Sequence, residues 1–349
     1  MTFVSLAVLG TVLAGRLALG PLRVDWLTPY VTEALSSDEA RLMVRARSTE
    51  LFWDGRGHQL RVRVRDVLAR SASGTVGFVP SLTVGLSLRA LLRGVIAPAE
   101  VIVDRARLRL ALRADGSIDL GLGTGEGSTV RSSPGALADR LGRGWLRSLV
   151  VRRGSVELVD ATRRNAWQAR AVDLMLRPAG SGLQAGMTGR VVSGSTVVPV
   201  RMKVVYRRDP EPFEVTVAFR GLDPSTAGVA IPLGPGVLRH FARLRLPLDG
   251  RIVLTLDDSF QAERVRLKLL GGQGTIAMAG VPGGTLAISR LRAALSLERS
   301  ADAMRLQLVS LGMGRPMLRV RGEVHGLRGP GRVDLVLSLS DLPMDDLRR

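Results

Sequence analysis

The chain has no cysteine, only three histidines and an aromatic content of 4%. Without cysteine there are no disulfides, thiol nucleophiles or cysteine metal ligands, and either redox compartment is permitted. His58, His240 and His325 are isolated from one another and lack H-x-x-x-H spacing, so they read as solvated side chains and not as a zinc site. No G-x-S-x-G elbow supports a serine hydrolase. Asp257-Asp258 and Asp345-Asp346 are adjacent pairs whose members would point to opposite faces of an extended chain, which suits strand-end turns better than acid/base chemistry. The stretch "GLGTGEGSTVRSSPG" (121 to 135) fits neither G-x-G-x-x-G nor a lysine-bearing phosphate loop, and reads as a linker. No cofactor, metal or catalytic constellation emerges, and a non-enzymatic role is expected.

Lysine is nearly absent too. Lys203 and Lys268 are the only two in a chain whose formal charge is +19, so arginine supplies almost all the cations. Such a charge suits an anionic partner, a nucleic acid or a phospholipid surface, although a GC-biased genome also writes this composition. Nucleic acid is disfavoured, because the arginines are spread along the chain and few aromatics exist to stack on bases.

What the chain does have is alternation. In "QLRVRVRDVLARSASG" (59 to 74) Arg61, Arg63 and Arg65 fall on one side of an extended run and Leu60, Val62 and Val64 on the other. "RLRLALR" (107 to 113), "RIVLTLD" (251 to 257) and "RVRLKL" (264 to 269) repeat the pattern. With 40 glycines, 17 prolines and many short Val/Leu/Thr runs, the expectation is a mainly β chain of roughly twenty strands. Helices are expected only in "DWLTPYVTEALSSDEAR" (25 to 41), "SLRALLRG" (87 to 94), and near 136 to 146 and 235 to 244. No helix series alternates with the strands, so an antiparallel meander is expected, and so many strands must split, close or coil into a groove.

Thr2 to Gly15 is uncharged, and beyond Arg16 an apolar patch runs to Leu22. This just reaches the roughly 20 residues a membrane-spanning helix needs if Arg16 snorkels. Residues 1–22 are therefore expected to be a membrane anchor, with a cleaved signal peptide or a buried segment as alternatives. Arg16 and Arg23 follow the apolar run and nothing basic precedes it, which by charge alone would leave the bulk of the chain cytoplasmic. A first β section over 23–135 and a second over 136–349 complete the expected organisation.

The order of several pieces resembles a known family. An apolar start runs into "GPLRVDWLTPYVTEAL", "LMVRARSTELFWDG" closes a strand with W-x-G, and "LRVRVRDV" ends the next at Asp66-Val67. "LLRGVIAP" and "ADGSIDL" follow, with "LPLDGRIVLTLDD" and "LSLSDLPMDDL" later. Together they resemble the N-terminal region of the YhdP-like branch of the AsmA-like proteins.

The resemblance implies an inner-membrane protein, single-pass, with its bulk in the periplasm of a Gram-negative bacterium. It implies a long antiparallel sheet coiled into an elongated groove whose apolar face carries phospholipid acyl chains towards the outer membrane. The groove would be lined by Val62, Val64, Val101, Val103, Leu108, Leu110, Leu112, Val215, Val217, Phe219, Ile252, Leu254, Leu256, Val265, Leu267 and Leu269, with Arg61, Arg63 and Arg65 facing water. Members of this family are longer, with a C-terminal AsmA-like region, so another envelope protein is an expected partner supplying that part. Two other classes stay open: an outer-membrane assembly factor of the TamB type, whose edge strand pairs with a client, and a basic envelope β-protein that closes its apolar faces and binds polyanions.

Overall fold

The computed structural model describes residues 16, 20–35, 43–55, 59–71, 74–91, 93–95, 97–112, 118–119, 146–160, 165–180, 182–193, 196–207, 213–225, 243–257, 262–277, 284–313, 316–326 and 332–340. They form two compact units, one of residues 1–132 and 136–183, the other of 133–135 and 184–349. Strands dominate both. No helix among the described residues is long and apolar enough to cross a membrane. Most of the expected anchor, and most of the expected helices near 136–146 and 235–244, lie outside the described residues.

The first unit is built from β1 (Leu22–Arg23), β2 (Met43–Arg45), β3 (Ser48–Asp54), β4 (Gln59–Ser71), β5 (Gly74–Leu86), β6 (Pro98–Asp104), β7 (Arg107–Leu112), β8 (Ile118–Asp119), β9 (Ser148–Asp160) and β10 (Asn165–Ala179). Leu22, the expected last residue of the anchor, is in β1 and pairs with Leu51. From β1 the sheet runs through β3, β4, β5, β6 and β9 to β10. β2 extends the edge beside β4, and β7 continues β6 along β9. The expectation of a pure antiparallel meander fails here, because β6 and β7 both pair in parallel with β9. Parallel neighbours need a crossover of a dozen or more residues, and residues 113–147 supply one.

Three strands of this sheet, β4, β9 and β10, and the junction between β6 and β7 interrupt their alternation at the same level. Asp66, Arg105, Arg153 and Ala171 adopt left-handed backbone with φ of 50, 54, 51 and 50°. At each place two side chains in succession leave the apolar face, and the next returns to it: Val67, Ala106, Gly154 and Val172 are all buried. Pairing register is unshifted across Asp66 and Arg105, so neighbouring strands change phase in step; only between β9 and β10 does the register slip, the mark of a β-bulge. Asp66-Val67 is thus the middle of β4 and not its end. Charged groups lace the outer side of the line, with Arg153 Nη2 donating to Asp104 at 3.2 Å and the Arg153 N–H to Asp173 at 2.9 Å.

Two short helices trim the unit. A 3-10 turn (Asp25–Leu27) leads into α1 (Thr28–Leu35), tied to β3 where the Thr49 N–H donates to Asp25 and the Thr28 and Thr49 hydroxyls meet at 2.9 Å. There Thr49 and its cross-strand partner Val64 lose all solvent exposure. The other helix, α2 (Leu88–Leu91), is shorter than expected, and the Ser87 hydroxyl accepts from the Ala90 N–H in the manner of an N-cap.

The second unit holds β11 (Gly182–Ser193, whose first two residues belong to the first unit), β12 (Thr196–Tyr206), β13 (Phe213–Leu222), β14 (Leu244–Arg245), β15 (Leu248–Leu256), β16 (Ala262–Gly271), β17 (Gly274–Ala277), β18 (Thr285–Ile288), β19 (Arg290–Glu298), β20 (Ala303–Gly312), β21 (Met317–His325) and β22 (Arg332–Ser340). Here the meander expectation holds: β12, β13, β15, β16, β19, β20, β21 and β22 pair antiparallel in succession. Leu244, the end of an expected helix, is instead in a strand.

β14, β17 and β18 form a separate small sheet. Each is joined to a strand of the meander by one or two residues, through Leu246-Pro247, Gly272-Gln273 and Ser289. The small sheet packs against one apolar end of the meander and encloses Phe219, Leu222, Leu246, Leu248, Leu267, Leu269, Ile288, Leu291 and Leu311. Leu248 keeps only 2% of its surface. Gly274 is required at this corner, because a Cβ would overlap the Arg245 carbonyl oxygen and the Leu246 Cβ.

Candidate functional site

Register alone decides which side chains share a face, since strand neighbours alternate sides and cross-strand partners do not. In the second unit one row joins Met202, Val217, Ile252, Leu267, Leu295 and Leu306 across six strands. The next joins Val204, Val215, Leu254, Val265, Leu297 and Met304. β21 and β22 extend the face with Val320 and Val324, then Val333, Leu335, Leu337 and Leu339. Eight strands present this aliphatic surface, about 34 Å across at the usual strand spacing. On the opposite side stand Arg201, Lys203, Arg251, Arg264, Arg266, Lys268, Arg292, Arg305, Arg319 and Arg321.

The expected lining residues divide into two environments. Val217, Ile252, Leu254, Leu256 and Val265 are half-buried on the face, whereas Val215, Phe219, Leu267 and Leu269 are buried. Of the buried four, Phe219, Leu267 and Leu269 belong to the core closed by the small sheet, so they are interior and not open lining. In the first unit Val62, Val101 and Val103 are half-buried on one aliphatic face with Leu82, Val84, Leu149 and Val151. Val64 is closed off entirely beside Thr49. Leu108 lies on β7 and is largely exposed, while the side chains of Leu110 and Leu112 lie outside the described residues.

Arg61, Arg63 and Arg65 do lie opposite Val62 and Val64, but water is not their main partner. Arg61, 18% exposed, sits 2.9 Å from Asp54 and 2.8 Å from Glu100. The Arg63 guanidinium covers the Phe52 ring at 4.4 Å, within cation–π range. Arg65 donates twice to Glu50, at 2.8 and 3.0 Å, and this hydrogen bond, then the charge of Glu50, raises the Arg65 pKa. Sequence reasoning missed Glu50, Asp54 and Glu100 as partners. The signal was present for the first two, because "STELFWD" alternates its acids against the arginines across a short turn.

Among the described residues no three His, Asp or Glu side chains gather as metal ligands, and His325 stands 3.2 Å from Glu323 alone. The chain matches no family model, no curated protein and no solved structure.

Proposed function

We propose that the chain is a lipid-transfer protein of the bacterial envelope, anchored in the inner membrane by its N-terminal apolar segment with its β units in the periplasm. Phospholipid acyl chains lie against the aliphatic faces, and headgroups remain solvated. One observation carries the reading: in the second unit an aliphatic face continues over eight strands with most of its side chains still partly open to solvent. Each methylene fully kept from water is worth about 0.8 kcal/mol, so an acyl chain of some fifteen methylenes covered along one side gains on the order of 6 kcal/mol, and no reactive group is needed. The resemblance to AsmA-like sequences supports the same reading.

Native mass spectrometry of the detergent-extracted chain tests it. Phospholipid adducts are expected on the parent and lost in Leu254→Asp, whose side chain is half-buried on the face and outside the closed core. Adducts retained at the parental level in that variant would remove the proposal.

A second reading, an assembly factor whose edge strand pairs with a client, is favoured by β22. Val336 and Leu337 there are 71% and 65% exposed, and among the described residues only β21 pairs with this strand. An open apolar edge is a template for another strand. If that reading holds, Val336→Lys, on the side of β22 away from the aliphatic face, abolishes client capture and leaves the lipid adducts in place.

A further inference from the structure

The polar side of the second unit gathers five cations that form no ion pair among the described residues, with the single carboxylate of Glu214 beside them. Arg251 on β15 stands directly across from Lys268 on β16, and Arg266 is next on the same side of β16. Arg201 and Lys203 on β12 occupy the same two rows, reached through Ala218 and Thr216 of β13. Five exposed cations therefore share an area of roughly 15 by 7 Å. Some arginines elsewhere are set against acid: Arg264 with Glu298 at 2.9 Å, Arg305 with Glu323, Arg65 with Glu50. Among the described residues none of these five has such a partner.

Like charges directly opposite on adjacent strands are destabilising, so this arrangement weakens the sheet unless an anion covers it. Both lysines of the chain lie here, and the compositional bias towards arginine does not account for that. Arg251, Val253, Arg266, Lys268 and Glu214 line a shallow depression of about 290 Å³. Leu270, 58% exposed, follows Lys268 on the same side, with Arg292 as its cross-strand partner.

We propose that this patch docks the second unit onto an anionic phospholipid bilayer. The cations meet headgroup phosphates and Leu270 enters the interface, the pairing of basic and exposed aliphatic groups that holds peripheral surfaces to membranes. A two-dimensional charge array spread over β12, β15 and β16, without an aromatic platform, suits a bilayer better than a single polyanion strand. Docking uses the opposite side of the sheet from the aliphatic face and does not depend on lipid being held there.

The test places the full chain in phosphatidylcholine proteoliposomes and measures capture of a second, labelled vesicle population. Phosphatidylcholine–phosphatidylglycerol vesicles are captured in preference to phosphatidylcholine vesicles, and added salt weakens the capture. Arg251→Glu removes one cation and pairs with Lys268, which spares the fold. At about fivefold per basic group near an anionic surface, it weakens capture at least ~25-fold. Arg251→Lys keeps it, and Arg319→Glu, an equal charge change on β21, leaves it within about twofold. Capture without preference for phosphatidylglycerol, equal capture by Arg251→Glu, or an equal loss in Arg319→Glu overturns the proposal. So does tight binding of soluble polyphosphate with no vesicle capture, which assigns the patch to a polyanion instead.

Discussion

The ring of Phe219 on β13 lies across the Cα of Gly250, its cross-strand partner on β15, and fills the space a side chain at 250 would take. The pair sits where the small sheet closes the aliphatic face, and the ring supplies the packing that the glycine lacks. Gly250→Ala puts a methyl into the ring, and overpacking of this kind costs about 1–3 kcal/mol. Phe219→Leu in the same chain returns part of that loss. Urea unfolding of the parent, both single variants and the double variant measures the coupling. Strictly additive effects would refute the relationship.

Ala171 offers the opposite use of glycine. It is exposed in the bulge of β10 with φ of 50°, where a Cβ is strained. Ala171→Gly is expected to raise stability by about 0.5–1 kcal/mol, although glycine inside a strand ordinarily weakens it. Ala171→Val is expected to lower stability despite the higher strand propensity of valine. Thermal melts that rank valine above glycine at this position would contradict the bulge.

Glu50 and Arg65 differ in exposure, with 9% of the Glu50 side chain and 48% of the Arg65 side chain reaching solvent. Arg65→Ala strands a shielded carboxylate, leaving Arg63 at 3.8 Å as its remaining cation, whereas Glu50→Gln removes the shielded charge and leaves Arg65 in water. Arg65→Ala is therefore expected to be the more destabilising of the two, by roughly 1–2 kcal/mol. Since Arg65 has its pKa raised in the fold, the contribution of the pair is fully present below the unfolded arginine value and is lost only as pH rises through the folded one. The difference in melting temperature between parent and Arg65→Ala should then stay constant from neutral to moderately alkaline pH. A difference that shrinks across that range would show that another group carries it.

Much of this was legible in the sequence. The alternating runs at 59–71, 251–256 and 262–271 form strands, and most of their aliphatic members share a face, Val253 and Leu270 falling on the cationic side. Even the left-handed positions leave a trace: "VRVRDV", "VDRAR", "VRRGSV" and "ARAVDL" each place two successive residues off the apolar face before the phase resumes. Asp66-Val67 as a strand end was what the resemblance implied, whereas the strand runs on to Ser71 with its pairing register intact across that pair. The parallel pairing of β6 and β7 with β9 was hidden because parallel and antiparallel neighbours draw on the same residue types.

By itself the sequence determined that the chain is mainly β, which side chains fall together on each strand, and that one side is aliphatic and the other cationic. Those properties follow from the two-residue repeat of an extended backbone and need no knowledge of neighbours. Only the tertiary structure decided which strands meet, and so which aliphatic positions are shut in and which stay open. Leu267 and Leu254 look alike in sequence, yet one is covered by the small sheet and the other is not. It also decided which arginines find acids, as Arg61 does in Glu100, 39 residues away, and which are left facing one another, as Arg251 faces Lys268. Pairing across strands depends on register between distant segments, and register is set by the burial of whole faces, which no local pattern contains.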